Sequence, residues 1–433
     1  TPKPSSAASD VYKRQAQEYG TPVYIYSQQR IEDNVSNLKN ALSANFDKFH
    51  ICYAIKSNSN PHLIKAMRNS FSKIGGDCSS PGEIYAAELS GIKPSECIYT
   101  GNYESETDLI EAVQKGCNIN LDDITSLNRL SKIAIPDRIS FRMNPGFGGG
   151  SYSGIITGGR DAKFGIPAEK IVEAYQKAQE LGVERFGLQC MCGSGNLDEK
   201  FFTEVLSAII ENANKIESAL NIKFEFISMG GGFGIPYQDN QKPLDFNQMF
   251  SSLAKIFYSA YPNRSSAPSL WLEPGKSIIA DTGFIVSKVT GLKNSYKNFV
   301  GIDAGMETLM RPALYGAQHR IFKIGDHGNN ESTVDFTGQI CENTDRIATD
   351  REFPKLIEGD LIAIMDTGAY GYSMSHNFNT RPRAAEVLLD NSSYRLIRKR
   401  ETINDIFAHC DVCLLYTSPS PRDRTRSRMP SSA

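Results

Sequence analysis

Between about residues 22 and 280 the chain repeats one unit, a short apolar run followed by an amphipathic helical stretch, and the runs can be counted. They are His50–Ile55, Lys73–Asp77, Cys97–Gly101, Asn118–Leu121, Arg138–Arg142, Arg185–Cys190, Phe224–Ser228 and Ser269–Leu272. Eight parallel strands are what a closed barrel needs. The helices between them are legible: Ile31, Val35, Leu38 and Leu42 recur at helical spacing behind a Ser27 cap, and Ile171, Val172, Tyr175, Ala178 and Leu181 form a similar stripe ended by Gly182. Strand and helix alternating over ~250 residues predict a (β/α)8 TIM-type barrel, assigned to residues 28–282, rather than a doubly wound sheet.

After about Gly283 the pattern changes. Phe284–Val289, Phe299–Ile302, Ile321–Ile324, Val334–Gly338, Leu361–Met365, Ala384–Leu389 and Tyr394–Arg398 read as strands separated by turn residues with little helix. They predict a mostly antiparallel β domain over 283–411. The strand-like Pro22–Tyr26 could belong to either unit, and residues 16–27 are grouped with the β domain. Residues 1–15 and 412–433 lack periodicity and resemble translated adapter sequence, so they are set aside as an extension and a tail foreign to the fold.

Composition narrows the function. A net charge of −2 over 433 residues gives no general attraction to nucleic acid or anionic membrane. No apolar run approaches the ~18 residues that span a bilayer, so a cytoplasmic protein is the expectation. Nine cysteines without framework spacing read as reduced thiols. Neither Cys190-Met191-Cys192 nor His409-Cys410 with Cys413 has a partner pair at ligand spacing, and no metal is expected.

In such a barrel the loops at the strand C-termini build the active site. Lys56 follows the first strand, Asp77 ends the second, Arg142 ends the fifth and Gly193-Ser194 follow the sixth. Gly230-Gly231-Gly232 follow the seventh, and Glu273-Pro274-Gly275-Lys276 the eighth. A lysine at the end of a buried strand is expected to be partly dehydrated, which lowers its pKa and frees the amine as a nucleophile. Three consecutive glycines let backbone N–H groups approach an anion, and Ser194 with Gly275 could add donors. Glu273 could hold a protonated ring nitrogen. Taken singly, each has a plainer reading: a solvated lysine, a tight turn, a loop carboxylate. Glu83 reads equally as part of a capping box, Ser80-Pro81-Gly82-Glu83, opening a helix.

The segments YAIKSN (53–58), GDCSSPGE (76–83), GGGFGIPY (230–237), EPGK (273–276), RPALY (311–315), CENTD (341–345), GAYG (368–371) and RPRAAEVLL (381–389), in that order, resemble the fold-type III pyridoxal-phosphate-dependent decarboxylases, the diaminopimelate decarboxylases above all. The resemblance runs from about residue 20 to about 408. It implies a carboxy-lyase that converts meso-2,6-diaminopimelate to L-lysine and CO2, the last step of lysine biosynthesis by that route. Lys56 would carry pyridoxal 5'-phosphate covalently, and Asp77, Ser194, Gly230, Gly231, Gly232, Glu273, Gly275, Lys276 and Tyr370 would hold it. Cys341 would reach the site from the second subunit of a homodimer as the proton donor, which makes the active sites shared. Lys276, Arg311, Tyr315, Glu342 and Tyr370 would read the substrate. A distal centre bearing an ammonium and a carboxylate needs an acidic and a cationic reader, and Glu342 with Arg311 supplies both. Other readings are a same-fold decarboxylase of ornithine, lysine, arginine or carboxynorspermidine type, and a non-catalytic homologue; retained Lys56, Glu273 and Cys341 argue against the last. Two positions depart from the family pattern: Met191 stands where a ring-stacking histidine is usual, and Lys276 where an arginine is usual.

Overall fold

The computed structural model describes residues 6–325, 330–390 and 393–410. Eight parallel strands close on themselves: Phe49–Ala54, Gly75–Cys78, Ile98–Tyr99, Asn118–Leu121, Arg138–Asn144, Arg185–Cys190, Phe224–Ser228 and Ser269–Leu272. Each bonds to the next, and the last returns to the first with Leu270 opposite Phe49. Their side chains are buried on both faces, as a parallel barrel requires. Cys52, Ile98, Phe226 and Trp271 meet from four different strands, and the Phe226 and Trp271 rings stack at 4.0 Å. Gly187 makes room for them, since a Cβ there would lie 2.2 Å from the Phe226 ring. Outside, Tyr175 wedges edge-on against Phe141, Phe186 and Phe224 and donates its hydroxyl to the Gly187 carbonyl at 2.6 Å.

Local chemistry starts the helices. Ser27 accepts from the Arg30 N–H, and Asn60, Ser105, Asp123, Asp198 and Asp245 cap later helices in the same way. Ser80 caps Pro81–Leu89 with proline in the first turn. The expected capping box is displaced by one residue, because the Glu83 carboxylate accepts from the Ser79 N–H at 2.7 Å.

The second unit is a nine-stranded sheet built around Gly283–Asn294, which bonds along its length to Val23–Ser27, Leu361–Ile364 and Asn298–Ile302. Val23–Ser27 lies in this sheet, between Gly283–Asn294 and Ala385–Asp390. Two of its pairings are parallel, Val23–Ser27 with Ala385–Asp390 and Asn298–Ile302 with Asn330–Thr337, so the sheet is mixed rather than purely antiparallel. A strand absent from the sequence reading, Arg346–Pro354, pairs with Asn330–Thr337. Its charged, half-exposed residues carry no apolar alternation.

Residues 6–15, set aside from the fold on sequence grounds, belong to a helix, Ser6–Tyr19. Tyr12, Ala16 and Tyr19 pack against the sheet cluster that contains Val23, Phe284 and Val387, with Tyr12 edge-on to Phe284 at 4.7 Å. The tail from 412, with Cys413, lies outside the described residues.

Candidate active site

Lys56 sits in a single 3-10 turn, Ile55–Ser57, just beyond the first barrel strand. The turn is tied to the β domain: Ser57 O accepts from Tyr370 N–H at 2.8 Å and from Ser373 Oγ at 3.1 Å. The buried Asn58 donates to Tyr26 Oη and to Gly368 O, while Tyr26 and Asn60 both donate to the buried Glu386. This bridge was missed in the sequence, although Ser57 and Asn58 lie in YAIKSN, Gly368 and Tyr370 in GAYG and Glu386 in RPRAAEVLL. Only the fold shows that these motifs meet.

The expectation of a depressed lysine is corrected. Lys56 Nζ forms an ion pair with Asp77. Burial opposes the charge on the amine, but Asp77, helped by Tyr370 and Glu83, outweighs it and holds the pKa above the ordinary lysine range. Asp77 thus keeps the amine charged and aimed.

Opposite lies Glu273, with one carboxylate oxygen accepting from Ser228 Oγ at 2.7 Å and the other from Gln189 Nε2 at 2.8 Å. Burial, reinforced by Asp77, pushes its pKa up. Gln189 and Ser228 end adjacent strands, the sixth and seventh, and the contact of neither with Glu273 was read from the sequence.

The glycine turn is corrected in part. Gly230 N–H donates to Ser228 Oγ, and Gly231 N–H to Met191 Sδ at 3.1 Å, so neither is offered to an anion. Gly232 alone of the three lines the hollow, with φ +89°. A Cβ at Gly231 would fall 2.1 Å from the Glu273 carbonyl oxygen and one at Gly275 2.1 Å from Ser57 Oγ, so both positions exclude a side chain.

Lys56, Asp77, Met191, Ser194, Gly232, Glu273, Gly275, Lys276 and Tyr370 surround one small hollow. Lys276 Nζ donates to Ser194 Oγ at 2.8 Å and lies 5.6 Å from the Tyr370 ring. Burial, then the Arg311 charge, lower its pKa to about 7.

Arg311 and Tyr315 do not line this hollow; they lie beyond Lys276 on the short helix Arg311–Tyr315. Arg311 is 1% exposed, 4.7 Å from the Tyr237 ring, and its Nε has no partner. Cys341 and Glu342 are exposed and also lie outside the hollow. Asn379 clamps Cys341, accepting from its N–H at 2.9 Å and donating to Sγ at 3.1 Å. Asp345 anchors the same loop by accepting from Met306 N–H and Ile340 N–H.

The family model for the pyridoxal-binding domain of pyridoxal-dependent decarboxylases matches residues 28–280. The diaminopimelate decarboxylases of Methanothermobacter thermautotrophicus and Thermoplasma acidophilum are 39% and 40% identical to this chain, covering 90% and 91% of it and 92% and 94% of their own lengths. The crystal structure of diaminopimelate decarboxylase from Helicobacter pylori complexed with L-lysine superposes with a TM-score of 0.84 at 32% identity, covering 92% of this chain and 98% of that one. A lysine/ornithine decarboxylase structure from Vibrio vulnificus, at 19% identity and a TM-score of 0.75, shares the fold. Since the matched segment spans the whole barrel and identity continues through the β domain, the chain belongs to the pyridoxal-dependent decarboxylase family.

Proposed function

We propose that the chain decarboxylates meso-2,6-diaminopimelate to L-lysine and CO2, with pyridoxal phosphate attached to Lys56. The observation that carries the substrate reading is Arg311. Among the described residues no carboxylate pairs with this buried guanidinium, whose ionisable neighbours that favour its charge are tyrosines, and an uncompensated buried cation is costly unless a ligand supplies the anion. A distal substrate carboxylate is such an anion. A diamine-forming decarboxylase of ornithine would leave Arg311 unused.

The residues fit the cofactor. Gly231 and Gly275 allow backbone to approach where a Cβ would not pass, Ser194, Gly232, Gly275 and Lys276 could bind its phosphate, and Tyr370 covers the rim between Lys276 and Lys56. A carboxylate whose pKa burial has raised, as at Glu273, gains from a cationic N–H partner. Pyridoxal phosphate, when bound, supplies the electron sink for the pair released as CO2 leaves. In this reading Asp77 orients the Lys56 amine and Glu273 keeps the ring nitrogen protonated. Lys276, Arg311, Tyr315 and Tyr370 hold the far end of the substrate, and Cys341 of the partner subunit returns a proton to the carbon, while Glu342 of the partner subunit reads the distal ammonium. The exposed, clamped Cys341 loop supports a homodimer with shared sites, since an accessible thiol outside its own hollow is available to a neighbour's. The free thiols of Cys52, Cys78, Cys97 and Cys190 suit a reducing compartment, and the cytoplasm is the proposed location.

Carbon dioxide release from meso-diaminopimelate, ornithine, lysine and arginine tests the assignment. Release is expected from diaminopimelate; a preference for any of the others overturns it.

A further inference from the structure

Arg311 has a neighbour that neither the motifs nor the hollow brings to attention. His319, 1% exposed, lies in the loop between the Arg311–Tyr315 helix and the strand Ile321–Lys323. Its Nδ1 faces the Met365 carbonyl at 2.8 Å and its Nε2 faces Arg311 Nη1 at 3.0 Å. A carbonyl only accepts and a guanidinium only donates, so the ring must carry its proton on Nδ1 and offer the Nε2 lone pair to Arg311. Burial, then the Arg311 charge, lower the His319 pKa to about 3, which keeps the ring neutral.

The ring itself is held. Arg351 donates to His319 O at 3.3 Å, Met365 N–H donates to Arg320 O at 2.8 Å, and Tyr237 packs edge-on against the imidazole at 5.4 Å. Tyr237 also faces the guanidinium, so Arg311 is fixed by an aromatic face and an imidazole lone pair. Both are neutral. A carboxylate at position 319 would orient Arg311 equally well but would satisfy its charge and compete with a ligand.

We propose that His319 is a positioning residue for substrate recognition: it aims the Arg311 guanidinium at the substrate's distal carboxylate while leaving the positive charge free for it. This rests on the reading of Arg311 given above. Decarboxylation removes one carboxylate of diaminopimelate and L-lysine keeps the other, so lysine retains the group in question and cadaverine, the diamine without it, does not.

The test is calorimetric titration of the pyridoxal-phosphate-loaded protein with L-lysine and with cadaverine. His319→Asn places an amide donor near Met365 O but no acceptor within reach of Arg311; His319→Gln reaches Arg311. His319→Asn should weaken lysine at least about tenfold and cadaverine by less than about threefold, whereas His319→Gln should leave both within about threefold. Should His319→Asn fail to fold, His319→Met, with only a weak acceptor, takes its place. Arg311→Met separates the two ideas. If it does not lower the lysine-to-cadaverine affinity ratio, the carboxylate-reading role of Arg311 falls. If it lowers the ratio while the non-accepting His319 variant does not, or if His319→Gln loses lysine as severely as that variant, the positioning role of His319 is overturned.

Discussion

Lys276 is a buried cation for which, among the described residues, the chain provides a hydroxyl and a tyrosine ring but no carboxylate. Burial and Arg311 depress its pKa from 10.5 to about 7. Above the unfolded value the amine is neutral in both states and costs nothing; as pH falls toward the folded value the unfolded chain takes up the proton first, and the folded state is penalised progressively. Lys276→Met should therefore stabilise the unloaded protein at pH 7 by on the order of a few kcal/mol, with the gain shrinking as pH rises toward 10.5. Thermal melts of both proteins across that range check it, and a gain independent of pH refutes the electrostatic origin. The loaded protein should show the opposite trend, since the lost ammonium weakens pyridoxal phosphate binding by about tenfold or more. For Lys56, Lys56→Ala should abolish borohydride fixation of the cofactor and lower turnover by on the order of a thousandfold or more, as peptide mapping and CO2 assays would record. Met191 lines the hollow with its sulfur against Gly231 N–H. Met191→His should leave cofactor affinity within about tenfold, roughly 1.4 kcal/mol, while shifting turnover or substrate preference, because only the imidazole can titrate.

The seventh-strand turn sets its tolerance by backbone crowding. Gly231→Ala puts a methyl against the Glu273 carbonyl and should cost about 3 kcal/mol or more, with cofactor binding lost alongside. Gly291→Ala, whose nearest neighbour is a flexible Glu358 oxygen 4.0 Å away, should cost under about 1 kcal/mol; denaturant melts that rank the two alike would refute the crowding account. At this scale the sequence was most readable where one rule dominated. Both-faces-buried strands such as Ile51–Ala54 announce themselves by continuous apolar runs, and capped helices by their first residues. Arg346–Pro354 stayed hidden because its ladder hydrogen bonds leave no mark on a charged sequence. Lys56 was located correctly and its charge misjudged, since burial was visible in the run before it but the pairing with Asp77 depends on strand register. The contacts of Gln189 and Ser228 with Glu273 and of His319 with Arg311 were missed for a related reason: only tertiary structure brings these partners near.

For the whole molecule the central question is which chain completes which site. If Cys341 of the partner subunit serves each hollow, mixing inactive Lys56→Ala with inactive Cys341→Ala protein should restore part of the activity, and ultracentrifugation should show a dimer. No recovery after demonstrated subunit exchange would assign both residues to one chain's site. A different consequence follows from Val23–Ser27, which is made before the barrel yet lies between strands that begin at Gly283 and Ala385. On a ribosome adding ~5–20 residues per second, this strand waits roughly ten to fifty seconds for its first neighbour and longer for its second. Through that interval Val23, Tyr24, Ile25 and Tyr26, all fully buried at the end, have no sheet to join. The nascent chain must carry a sticky β segment past an entire domain's worth of synthesis, which makes the stretch around Val23–Ser27 the place where a chaperone would be needed most.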